Sequence, residues 1–162
     1  MCKRLLYLGF LLLLLDSCSF VKRIFHRSTT SNYSSADIKG IIKEAKKFKG
    51  VPYRTGGMDS KGMDCSGLLF TVYKSNDFEI PRVSGDQAKF GDEIKLKEVQ
   101  LGDWVFFATG KVGLINHVGL ITKDKPSISF IHASTTYGVR EDLLYQKFWL
   151  DRIVKIIRPF KN

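Results

Sequence analysis

Asp64-Cys65-Ser66-Gly67, running straight into Leu68-Leu69-Phe70-Thr71-Val72-Tyr73, is the stretch on which the fold turns. The apolar run is of helix length, and Gly56-Gly57 and Gly62 ahead of it read as loop, so Cys65 is expected in the first turn of a buried helix. Unpaired N–H groups and the helix dipole at such a terminus favour a thiolate, which predicts a thiol pKa lowered from ~8.5 toward ~3.5–7.5. The same N–H groups suit an oxyanion, where one donor is worth ~3 kcal/mol in the transition state.

Two histidines follow the cysteine. His117 opens His117-Val118-Gly119-Leu120-Ile121, and His132 closes Ile128-Ser129-Phe130-Ile131-His132. Both runs read as strands, and the short connection with Pro126 predicts an antiparallel hairpin that brings the two imidazoles near one end. A thiol attacks carbonyls only as the thiolate, so it needs a base and usually a group that orients the base. The order Cys65, His117, His132 supplies nucleophile, base and orienter. The plainer alternative is a small buried cysteine with two satisfied core or edge histidines.

Working outward, Ile38, Ile41, Ile42, Ala45 and Phe48 recur with helical spacing, Ser35 is placed to cap that helix and Gly50 to end it. A shorter helix is expected around residues 84–90. After Leu101-Gly102-Asp103 the pattern becomes strand-like, at 104–108, 117–122, 128–132 and 152–157. Helices first and an antiparallel sheet afterwards is the α+β layout.

The N-terminus reads differently. Lys3-Arg4 precede the apolar run from Leu5 to Leu15, which falls short of the ~20 residues a spanning helix needs and so reads as a signal-peptide core. It ends in Leu15-Asp16-Ser17-Cys18, with Cys18 as the expected acylated residue; Asp16 is unusual there, and an ordinary signal peptide or an uncleaved tether are the other readings. Residues 19–35 are rich in Ser and Thr, carry Lys22, Arg23 and Arg27, and read as a tether beside a membrane. The expected organisation is therefore signal 1–17, lipidated Cys18 and tether 18–35, and one domain 36–162. With Cys2 in the signal and Cys18 acylated, Cys65 is left as a free thiol in an exported protein, which points to reactivity rather than a disulfide framework.

The chain of 162 residues has a formal charge of +10; removing residues 1–17 takes away Lys3, Arg4 and Asp16 and leaves +9. The basic residues are scattered and the chain reads as exported, so anionic wall or membrane fits better than nucleic acid. A solvated surface with no specific partner is the commonest meaning of such a charge.

These residues together resemble the NlpC-type cell-wall cysteine peptidases, a bacterial branch of the papain-like fold. The resemblance runs from Ile38 to Pro159 and rests on Gly50-Val51-Pro52-Tyr53 with Gly56-Gly57, Asp64-Cys65-Ser66-Gly67, Pro81-Arg82, Leu101-Gly102-Asp103 with Phe106-Phe107, His117-Val118-Gly119, and Phe130-Ile131-His132-Ala133-Ser134. Ser134-Thr135-Thr136-Tyr137-Gly138-Val139, with Trp149 beyond it, is especially similar to the small lipid-anchored murein endopeptidases of that family. Thr55 departs from the aromatic or Leu the family often has there, which puts the shape of one subsite in doubt.

The resemblance implies that Cys65 is the nucleophile, His117 the base and later acid, and His132 the orienter. Tyr53 is implied beside the thiol, assisting the oxyanion, and Asp64 and Ser66 match positions that in some members bind the free amine of a stem peptide. For Asp64 the residues alone equally suggest an N-cap, and for Ser66 a first-turn position. The implied substrate is the peptidoglycan stem peptide or its cross-link, in a monomeric protein of the bacterial envelope anchored at Cys18, with the outer membrane facing the periplasm expected. No cofactor is expected, and three His with one Cys spread in this way do not suggest a closed zinc site. A catalytically silent wall-binding protein and a lipid-directed acyltransferase of the same fold are the competing readings.

Overall fold

The computed structural model describes residues 33–161. The expected signal segment, Cys18 and the tether up to residue 32 lie outside the described residues. Helix α1, Ser35–Lys47, buries Ile38, Ile41, Ile42 and Ala45 along one side. Its cap is Ser34 rather than Ser35, one residue earlier than expected: the Ser34 hydroxyl accepts from the Asp37 N–H, and the Asp37 carboxylate reaches back to the Ser34 N–H. Packing begins at Tyr33, ahead of the expected tether boundary, because its ring is buried edge-on against Tyr73 and Phe78.

A small hairpin, β1 (Met58–Asp59) and β2 (Gly62–Met63), leads into α2, Cys65–Lys74, which buries Leu68, Leu69, Val72 and Tyr73. The expected helix at 84–90 is a single α turn, α3, Ser84–Gln87. Then come β3 (Gly91–Glu93), β4 (Trp104–Phe107), β5 (His117–Lys123), β6 (Ser129–Ser134), β7 (Gly138–Leu143), the short helix α4 (Lys147–Leu150) and β8 (Ile153–Pro159). They build one antiparallel sheet in the order β3-β8-β4-β5-β6-β7. The fold is α+β, as the pattern of helices followed by strands implies.

The sheet is buried on both faces, which is why β4 reads Trp-Val-Phe-Phe with no polar alternation. Trp104 and Phe106 join Val118, Leu120 and Ile131 in the core shared with α1 and α2. Val105 and Phe107 face the other way, into a second core with Ile121, Phe130, Leu144 and Trp149. The Trp104 indole N–H donates to the Tyr73 hydroxyl, 2.8 Å, and locks α2 onto β4. Asp103, just ahead of β4, takes two hydrogen bonds from the buried Arg158 guanidinium on β8 and one from the Gln100 N–H. Leu101-Gly102-Asp103 is thus a structural tie across the sheet.

Candidate active site

The N-terminus of α2 is held by Asp64. Its carboxylate accepts from the Gly67 N–H at 2.6 Å, the Gly56 N–H at 2.8 Å and the Ser66 hydroxyl at 3.1 Å. Arg82 closes the network with Nη2 on Asp64 Oδ2 at 2.8 Å and Nη1 on Asp64 Oδ1 and the Ser66 hydroxyl. Burial pushes the Asp64 carboxyl up, but the Arg82 hydrogen bonds and charge and the Gly67 N–H more than offset it, holding it below the ordinary carboxylate range. Gln87, fully buried, donates its amide to the carbonyls of Ser66 and Pro81. Gly67 has no alternative here: a Cβ would lie 2.1 Å from the Gly57 carbonyl oxygen. Asp64 and Ser66 are therefore engaged by the scaffold, with Asp64 as N-cap.

Cys65 is buried at the first position of α2, and the N–H groups of Val118, Ser66 and Cys65 itself reach its sulfur. Because Val118 follows His117 at the start of β5, that contact brings the histidine to the thiol's corner of the fold. The expected depression of the thiol pKa is not what this environment produces. Burial pushes the thiol up, the nearby Asp64 charge adds to that, and the three N–H groups only partly oppose it. Burial likewise carries His117 down to about 3, with His132 acting in the same direction and Asp142 against it. At rest both the thiol and the imidazole are thus neutral.

His117 and His132 meet as expected. His117 Nε2 lies 2.9 Å from His132 Nδ1, with the rings edge to face. They sit on one face of the hairpin, His117 at the start of β5 and His132 inside β6. Gly119 makes room between them: a Cβ there would strike the Phe130 ring at 2.4 Å, and that ring stacks on His132. Trp149 from α4 stacks on His117 at 5.6 Å between centroids and stands edge-on to His132. Tyr53 is brought close through its backbone, bridging Met63 two residues before Cys65, and its partly buried side chain packs on the core. Beside His117 opens a cleft of about 360 Å³ lined by Thr109, Ser134, Tyr137, Arg140 and Phe148.

Residues 50–158 match the NlpC/P60 family. The chain belongs to that family. It is 35% identical over 142 residues to the probable endopeptidase NlpC of Escherichia coli (strain K12), covering 85% of this chain and 87% of that protein. It is 32% identical over 120 residues to the murein DD-endopeptidase MepS/murein LD-carboxypeptidase of the same organism, covering 73% and 61%. Among solved structures, a Staphylococcus aureus protein described as similar to lipoprotein, NLP/P60 family, superposes with a TM-score of 0.72 at 30% identity, covering 88% of this chain and 47% of that one. This chain therefore spans most of the Escherichia coli NlpC protein but about half of the Staphylococcus aureus one.

Three contributors escaped the sequence reading. Arg82 was visible only as part of a matching motif, although Pro81-Arg82 at the mouth of a loop is a recognisable place for a charge partner of Asp64. Gln87 carried no signal. Asp142 lies on a strand with no apolar alternation, yet its carboxylate sits 3.1 Å from His132 Nε2.

Proposed function

We propose that this chain is a cysteine endopeptidase that hydrolyses peptide bonds in peptidoglycan stem peptides or the cross-links between them. The observation that carries the reading is one corner of the fold where the Cys65 sulfur meets the Val118 N–H, next to a His117 bonded to His132. His117 takes the thiol proton as Cys65 attacks the carbonyl. N–H groups at the start of α2 stabilise the oxyanion. His117 then protonates the leaving amine, and the thioester left on Cys65 is hydrolysed by a water that His117 deprotonates. Trp149, stacked on His117, keeps bulk water off the imidazole pair. The name of one relative, a murein DD-endopeptidase and LD-carboxypeptidase, supports this substrate class, and that of another, a probable endopeptidase, supports the reaction.

Leu15-Asp16-Ser17-Cys18 supports a further part of the reading: attachment of the chain to the bacterial envelope by acyl chains on Cys18. Among the described residues no helix is long and apolar enough to cross a membrane.

Digestion of purified peptidoglycan, with the products identified by mass, tests the activity and names the bond. Soluble muropeptides are expected from the wild type and none from Cys65→Ala. Binding of the wild type to the wall without product release would make the chain a wall-binding protein, and acyl transfer from lipid without cleavage would make it an acyltransferase.

A further inference from the structure

His132 is not the end of the chain of hydrogen bonds. Its Nε2 lies 3.1 Å from Asp142 Oδ2, on the neighbouring strand β7, where the β6–β7 register puts Asp142 on the same face as His132. Two other donors hold that carboxylate. The Trp149 indole N–H donates to Oδ2 at 3.2 Å, and the Arg140 guanidinium pairs with Oδ1 at 2.7 Å. His132 itself is fully buried, so no solvent substitutes for these partners.

We propose that Asp142 is a positioning residue that sets the protons of His132 and His117, extending the pair to a four-member chain Cys65, His117, His132, Asp142. An ionised carboxylate only accepts, so the proton lies on His132 Nε2. Burial keeps His132 neutral, below its ordinary value even though Asp142 pulls the other way. Neutral His132 then offers a lone pair at Nδ1, and His117 Nε2, 2.9 Å away, must be the donor. That leaves His117 Nδ1 bare, the nitrogen free to accept the Cys65 proton. With the opposite tautomer of His132, an Nδ1–H would point at His117 Nε2, the His117 proton would move to Nδ1, and the imidazole could no longer act as base. One carboxylate two residues removed from the base thereby decides which of two neutral states the site adopts.

The test reads the protons directly. In the unliganded full chain labelled with ¹⁵N, long-range ¹H–¹⁵N spectra distinguish the ring tautomers, and three histidines are few enough to assign. Wild type is expected to show Nε2–H with bare Nδ1 at both His117 and His132. Asp142→Asn, whose amide can donate as well as accept, is expected to mix the tautomers. The kinetic arm rests on the peptidase reading. There Asp142→Asn should lower kcat by about 10²-fold with KM little changed, and Asp142→Glu should recover part of the loss. A wild-type spectrum with the proton on His132 Nδ1 overturns the assignment, and it does not depend on any variant folding. An Asp142→Asn protein with an unchanged spectrum or an undiminished kcat overturns it too. If wild type cleaves no peptidoglycan, the peptidase reading fails, and the spectra still decide where the protons lie.

Discussion

Replacing Asp64 by Ala separates scaffold from substrate binding at the helix that Cys65 opens. The side chain caps α2 through the Gly67 N–H, ties down the Gly56 N–H and takes both ends of the Arg82 guanidinium. Loss of an N-cap costs about 1 kcal/mol. Loss of the charge-assisted bonds to Arg82 adds ~1.5–3 kcal/mol before solvent is considered. Arg82 retains 28% of its side-chain exposure, so water takes over part of the lost pairing and the lower end applies. The expected total is about 2.5 kcal/mol, a large share of the ~5–15 kcal/mol typical of a domain. At ~2–8 °C per kcal/mol, depending on domain size, the midpoint should fall by about 10 °C. Thermal unfolding followed by circular dichroism measures it. The pH dependence has a definite sign. Because the folded carboxyl sits below its unfolded value of about 3.9, its contribution is complete above that pH and is lost as pH falls through the folded value. The gap between wild type and Asp64→Ala should therefore narrow as the solution is taken from pH 5 into the acid range. An Asp64→Ala protein with an unchanged midpoint and a raised KM would refute the capping argument and make Asp64 a substrate ligand.

Cys65→Ala and His117→Ala should each abolish turnover of peptidoglycan fragments, His132→Ala should leave a measurable remnant, and the combined variants should lose little more than the worst single one, measured as kcat/KM. Alkylation of the unliganded protein by iodoacetamide should rise only at or above the ordinary thiol value of about 8.5, because burial disfavours the thiolate; a rate already on its plateau at pH 6 would show instead that the thiolate–imidazolium pair is formed at rest. Cys18→Ala should release the protein from membranes in cell fractionation, and globomycin should accumulate the precursor; attachment unchanged in both would remove the lipid anchor.

Much of the site was legible because its chemistry uses rare residues in local contexts. Cys65 after an Asp and before Ser-Gly and an apolar helix, and two histidines at the ends of apolar runs, are readable from neighbours alone. The same holds for α1, α2 and the inner strands β4, β5 and β6, whose apolar character is written along each segment. The protonation states were not legible. A helix N-terminus suggested a low thiol pKa, but the depth of Cys65 is a property of the assembled core, and burial outweighs the three N–H groups. Strand β7 was invisible for a related reason. As an edge strand reading Gly-Val-Arg-Glu-Asp-Leu, it shows no alternation. Its inward carboxylate is tolerated because His132, Trp149 and Arg140, from β6, α4 and β7, converge on it. By itself the sequence determined the fold class and the order Cys65, His117, His132 that the proposed mechanism uses, since those depend on periodicity and residue type along the chain. Only the tertiary structure decided the capping of the Cys65 helix by an Asp64–Arg82 pair and the placing of Asp142 behind His132, because a charge's partners and its distance from water are set by segments far apart in sequence.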